Sequence, residues 1–188
     1  MLAPRNVRGN ICAQKHNFAY RGAPFIIRVH PDWRKGGHVS GLYFEEFSVG
    51  QTFDHAIRRT ITEANNVWFS ALTHNPAPLH IDAEYCKGTE FGERLVNSCL
   101  TLAFMVGISV GDTTIGTTVA NLGWDNVRFP KPLFHGDTIR IETEVKELRE
   151  SKSRPENGIV IFEHRAFNQH DDLVGVCQRS ALMLRKPA

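Results

Sequence analysis

In the run Asn75-Pro-Ala-Pro-Leu-His80-Ile-Asp82 one imidazole stands in an apolar stretch, with a carboxamide five residues before it and a carboxylate two residues after it. A neutral imidazole in a partly dry pocket can take a proton from water near pH 7 and return it. A carboxamide beside it can orient that water but cannot itself accept the proton. Pro76 and Pro78 fix φ at two intervening positions and bias the residues before them toward extended geometry, which predicts a stiff loop carrying Asn75 and His80. The same pattern also describes an ordinary Pro-rich connection with a half-buried surface histidine, so the neighbouring elements have to decide.

Before the loop, Thr62 is placed to cap a helix in which Ala64, Val67, Trp68, Ala71 and Leu72 fall at i, i+3, i+4, i+7 and i+8, predicting that these five face inward. After it, Asp82 can cap a short helical turn through Tyr85 and Cys86 that Gly88 closes. From Leu100 to Val110 only Thr101 and Ser109 are polar, which predicts a helix buried nearly all round at the centre of the domain. Asp137 to Lys146 alternates, with Ile139, Ile141, Thr143 and Val145 on one side and Arg140, Glu142, Glu144 and Lys146 on the other, as a half-exposed strand does. Polar loops at Ser151–Gly158 and Asn168–Asp172 lead into strands at Ile159–Phe167 and Leu173–Leu184, giving a three-strand meander. Two further strands are expected at Thr52–Thr60 and Thr117–Phe129. One long helix with five or six strands is an α+β domain.

These residues resemble the MaoC-like family, the (R)-specific enoyl-CoA hydratases and related dehydratases of the hotdog fold. The family signature reads Asp-x-Asn-Pro-x-His-x-Asp, then Phe-Gly, then His-Gly before the central helix, and later a Pro followed by Gly-Asp-Thr. Placed without gaps, its catalytic histidine falls on His80, its proline on Pro78 and its second aspartate on Asp82. Phe91-Gly92, Pro132 and Gly136-Asp137-Thr138 match the later elements, and the resemblance runs over roughly residues 41 to 187 from the opening Gly-Leu-Tyr-Phe-Glu-Glu-Phe. Three positions depart from it: the family's catalytic aspartate falls on Asn75, its motif asparagine on Ala77, and its His-Gly on Asn97-Ser98. The Pro-Leu-His-x-Asp run and the opening are also similar to relatives that handle branched C4 and C5 dicarboxylyl-CoA esters, the mesaconyl-CoA and itaconyl-CoA hydratases.

The resemblance implies a hotdog domain at 41–188 behind a basic extension at 1–40, acting on acyl-CoA thioesters as a hydratase or dehydratase. Within it His80 is the acid and base, Asn75 orients water or thioester, and backbone N–H groups at Ser98 stabilise the enolate oxygen with the helix dipole behind them. Asn97, Ser98, Cys99, Asp82 and Arg128 are the candidate substrate-binding residues. His74, Arg128 and Lys131 are the candidate cations for a second carboxylate on the acyl group. No metal and no cofactor is expected beyond the coenzyme A of the substrate, and the family's interface-built site implies a homodimer or a dimer of dimers. Two other readings stay open: a subunit that has lost catalysis and partners an active paralogue, and a thioesterase using a carboxylate such as Glu84 or Glu90.

Composition narrows the classes further. The chain has 188 residues, is 41% apolar and carries a net charge of +2, with no apolar run of membrane-spanning length and no internal repeat. Cys12, Cys86, Cys99 and Cys177 show no paired spacing, and Cys99 and Cys177 sit in core-like segments, which fits a reducing, cytoplasmic setting. Residues 1–40 hold seven Lys or Arg against the single acid Asp32. Such an arm can be a mitochondrial transit segment, an ordered arm reaching a neighbouring subunit or CoA phosphates, or a dispensable start. No reader motif for nucleic acid accompanies it, and the irregular spacing of Cys12, His16, His30 and His38 does not define a metal site.

Overall fold

The alternation after Asp137 becomes a strand whose Ile139, Ile141, Thr143 and Val145 are all completely buried. The computed structural model describes residues 41–187. In chain order these form β1 (Thr52–Asp54), β2 (Arg59–Thr60), α1 (Glu63–Leu72), α2 (Pro78–Ile81), α3 (Ala83–Lys87), α4 (Ser98–Thr113), β3 (Thr118–Arg128), β4 (Thr138–Glu150), β5 (Asn157–Phe167) and β6 (Leu173–Leu184). The antiparallel sheet runs β1-β4-β5-β6-β3, with β2 also paired to β4. The expected meander is β4, β5 and β6, and α4 lies on their inner face, the hotdog arrangement.

Leu100, Met105 and Ile108 of α4 pack with Ile139, Ile141, Ala166, Val174 and Cys177 of the sheet. Each Leu, Ile, Val or Met among them contributes about 1.5–3 kcal/mol by leaving water. Gly175 permits the close approach, since a Cβ there would lie 2.8 Å from the Met105 sulfur. A second cluster, with Phe44, Phe47, Phe162 and Met183, fills the other end of the sheet.

The structure corrects four expectations. The predicted strand at Thr52–Thr60 is two strands, β1 opposite Glu142–Glu144 and β2 opposite Thr138–Ile139, because the chain leaves the ladder where the His55 side chain turns into the core. The central helix is not buried all round: Cys99, Ala103 and Gly107 form an exposed i, i+4, i+8 stripe, as follows for a helix backed by a sheet on one side only. Cys99 is therefore an exposed thiol, while Cys86 and Cys177 are buried, and all three are free. In α1 the expected face is reversed. Trp68 and Leu72 are 68% and 72% exposed, whereas Asn66 and Ser70 are buried beside the partly buried Phe69. Hydrophobic periodicity reads burial by apolar character alone, and here a buried carboxamide sets the orientation.

A polar chain also crosses the core. His55 Nδ1 lies 2.7 Å from Asp112 Oδ2 on α4, His55 Nε2 lies 2.7 Å from Thr143 Oγ1 on β4, and Thr143 Oγ1 lies 2.8 Å from His164 Nδ1 on β5. Burial, with Arg179 and His55 nearby, pushes the His164 pKa down to about 3, so this imidazole is neutral at physiological pH. Arg179, itself buried, donates to Thr114 Oγ1 at the end of α4 and lies over the Phe162 ring. Thr143→Val should leave two buried imidazole nitrogens without a partner and cost roughly 2–4 kcal/mol in urea unfolding. Thr143→Ser, which keeps the hydroxyl, should stay within about 1 kcal/mol of the parent.

Candidate active site

Three connections converge where α1, α2 and the start of α4 meet, and one side chain makes them. Asn66, fully buried on α1, donates from Nδ2 toward the carbonyls of His80 at 3.1 Å and Leu95 at 3.0 Å, and its Oδ1 accepts the Asn97 N–H at 2.7 Å. The carboxamide orientation is fixed by this set. Exchanging its oxygen and nitrogen would face two carbonyl oxygens with an oxygen and an N–H with an NH₂ group.

His80 sits on α2, a single helical turn with Pro78 at its first position rather than the open loop the sequence predicts. Its Nδ1 lies 3.0 Å from the Leu95 carbonyl oxygen. A carbonyl only accepts, so Nδ1 is the donor of this bond and Nε2 is the ring nitrogen it leaves unengaged. His80 lines a cavity of about 360 Å³ whose other walls are largely apolar, among them Leu79, Phe91, Leu95, Phe129, Pro132 and Val174. The polar groups sharing the wall with His80 are Ser98, Thr101 and Lys131. Lys131 forms an ion pair with Asp172, whose carboxyl it holds below the usual carboxylate range.

Ser98 is the first residue of α4, as expected, but the helix end offers fewer free donors than the sequence reading implies. The Asn97 side chain takes the Cys99 N–H at 3.0 Å, and the Asn97 carbonyl takes those of Leu100 and Thr101 at 2.9 and 3.1 Å. This cap uses three amides of the first turn and does not use that of Ser98, a residue of the cavity wall.

Of the other candidates for catalysis and substrate binding, Asn75, Asp82, Asn97, Cys99 and Arg128, none belongs to the cavity wall. Asn75 Oδ1 accepts the Ala77 N–H at 3.0 Å, closing the turn that leads into α2. Asp82 accepts the Tyr85 N–H at 2.9 Å and caps α3, with Gly88 at its other end. Asn97 is a buried helix cap, Cys99 points outward from α4, and Arg128 is exposed at the end of β3. Of the three candidate cations only Lys131 reaches the wall. The Gly-Asp-Thr element is structural: Gly136, at φ +95, donates to the Ile61 carbonyl at 2.8 Å, and Asp137 Oδ2 accepts the Phe134 N–H at 2.8 Å. Sequence reasoning passed over Asn66 and Thr101. The available signal for Asn66 was a poor helix former in mid-helix, which needs a compensating partner.

No group of three or more His, Cys, Asp or Glu among the described residues is arranged to hold a metal ion, and no helix among them is long and apolar enough to cross a membrane. The basic extension, with Cys12, His16, His30 and His38, lies outside the described residues.

Known proteins share this architecture. The chain is 30% identical over 135 residues to the mesaconyl-CoA hydratase of Cereibacter sphaeroides, an overlap of 72% of this chain and 39% of that enzyme. The (R)-hydratase of A. caviae superposes with a TM-score of 0.60 at 26% identity, covering 76% of this chain and 99% of that one. A conserved Mycobacterium tuberculosis protein with a double hotdog fold superposes with a TM-score of 0.71 at 27% identity, covering 80% of this chain and 46% of that one. The chain spans about two fifths of the length of the first curated relatives it matches. Residues 45–165 match the family model described as the MaoC like domain, and with the motif and fold in place the chain belongs to that family.

Proposed function

We propose that the protein is a hydro-lyase that adds water to an enoyl-CoA or removes it from the 3-hydroxyacyl-CoA, with His80 as its acid and base. The observation that carries this reading is His80 in the wall of a largely apolar cavity that also holds the start of α4, with its Nδ1 engaged by the Leu95 carbonyl so that Nε2 is the nitrogen left for substrate chemistry. Nε2 takes a proton from water as the water oxygen bonds to C3 of the enoyl thioester. The same imidazolium returns a proton to C2, so the histidine ends neutral and one molecule of water has been added. The Ser98 N–H stabilises the enolate oxygen that forms between these steps. The addition changes no oxidation state overall and needs no redox cofactor. Glu84 pairs with Lys87 on α3, and no carboxylate lies in the cavity wall, which weighs against a thioesterase.

For the acyl group we keep the branched dicarboxylyl esters, mesaconyl-CoA or itaconyl-CoA, in view because Lys131 stands in the same wall as His80. The exposed edge strand β3 shows Leu122, Trp124 and Val127 at 50%, 46% and 39% exposure, and with it we place the homodimer contact. The free thiols fit a cytoplasmic setting.

His80→Ala should lower turnover about 10²-fold or more while unfolding at nearly the parental temperature, followed by loss of the enoyl-thioester absorbance with crotonyl-CoA, mesaconyl-CoA and itaconyl-CoA. Near-parental turnover in that variant would overturn the assignment, and release of free thiol by the parent would show a thioesterase. Lys131→Met should lower kcat/KM on mesaconyl-CoA about 10–100-fold and leave crotonyl-CoA nearly unaffected, the difference expected for one charged hydrogen bond. Trp124→Glu should shift the sedimentation coefficient to that of a monomer.

A further inference from the structure

The Asn66 carboxamide has a third acceptor beside it that the chemistry at His80 does not use. Nδ2 carries two protons, yet lies within reach of three acceptors: the His80 and Leu95 carbonyls and His135 Nε2 at 3.0 Å. Because Asn66 cannot turn over without setting oxygen against oxygen, His135 Nε2 faces an NH₂ group, which can donate to it but cannot accept from it. The imidazole is therefore neutral, with its proton on Nδ1.

We propose that Asn66 is the positioning residue of the site and that His135 is its proton-sensitive neighbour, so that the site is assembled with His135 neutral and loosens when His135 is protonated. A proton on Nε2 would set one donor against another across 3.0 Å. The carboxamide cannot yield by rotating, since its oxygen holds Asn97 at the start of α4 and its nitrogen holds the backbone of His80. The imidazole must move out, or the carboxamide must give up one of the two elements that build the cavity.

The charged groups facing His135 are Glu63 on α1 and Arg94 and Glu93 on the segment before α4. Burial and Arg94 push the His135 pKa below the ordinary histidine value, and Glu63 and Glu93 pull against them without restoring it. Glu63 is in turn engaged by Arg94 at 2.7 Å. A histidine whose pKa is depressed on folding binds its proton more readily in the unfolded chain. Its contribution leaves stability unaffected above the ordinary pKa of about 6.5 and lowers it as pH falls from there toward the folded value. This inference rests on the reading of His80 as the reactive base, but its stability arm does not.

The test follows the thermal midpoint and kcat on crotonyl-CoA between pH 5 and 8.5 for the full chain and for His135→Gln and Asn66→Asp. Gln accepts from Asn66 and does not titrate, so His135→Gln should keep parental activity at pH 8. Its midpoint and its kcat should both fall less on acidification than the parent's. Asn66→Asp sets an oxygen against the two carbonyls but attracts a protonated His135. Its kcat should drop about 10²-fold at pH 8 and recover about tenfold toward pH 6, opposite in direction to the parent. A packing role alone would give the same loss at every pH. An unchanged acid slope of the midpoint in His135→Gln would overturn the proposal, as would a pH-independent loss in a folded Asn66→Asp. If the parent turns over no thioester while the midpoints behave as stated, the hydro-lyase reading fails and the positioning pair stands.

Discussion

A single buried carboxamide ties together the segments that build the cavity. Asn66 holds the backbone of His80, the backbone of Leu95 and the first amide before α4 at once, with Leu95 also accepting from the His80 ring. Three segments distant in sequence thus meet at one side chain, and each bond is satisfied in surroundings where an unpaired polar group costs about 1–3 kcal/mol. The orientation of α1 follows. Turning it so that Trp68 and Leu72 faced inward would bury more apolar area, about 1.5–3 kcal/mol for each side chain, but would break several buried hydrogen bonds together and leave their partners stranded. The polar set wins because its losses are simultaneous.

The same logic fixes the central helix. Apolar contacts hold its middle against β4, β5 and β6, but a smooth apolar interface does not specify how far a helix slides along a sheet. Polar contacts do so at both ends. The Asn66 carboxamide engages the N-cap residue Asn97, while Asp112 meets His55 and Thr114 meets Arg179 near the C-terminus. A one-turn slide of about 5.4 Å would break all of them. The amide of Ser98 therefore stays at a set distance from His80 without any direct bond between them.

The fold was legible because its signals were local and periodic. Strict alternation located β4, the turn residues located the hairpins, and β6 begins and ends at the expected residues Leu173 and Leu184. The motif placed His80, and Ser98 followed from it. What escaped was set by long-range polar contacts. Asn66 faces inward for partners 14 to 69 residues away, and His55 turns inward to Thr143, 88 residues on. Neither leaves a periodic trace. Asp82 caps α3 as its place before Tyr85 and Gly88 implies, while Asn75 and Asn97, candidates for water and substrate, serve a turn and a cap, the local task for which Asn and Asp are favoured.

The departure at Asn75 then has a structural answer. An imidazole acts as a base only when something holds its other nitrogen protonated and its ring in place, and a carboxylate is the usual partner because it accepts strongly. Here the Leu95 carbonyl accepts from the His80 ring, and Asn66 and the Leu79 carbonyl hold Leu95 in turn. A backbone carbonyl cannot be protonated at physiological pH, so it orients the ring without adding a second titration to the site. It also brings no negative charge into the cavity. The charged side chain that shares the wall with His80 is Lys131, which Asp172 already pairs, so an acid at position 75 facing the same space would repel any second carboxylate there by roughly 1–4 kcal/mol.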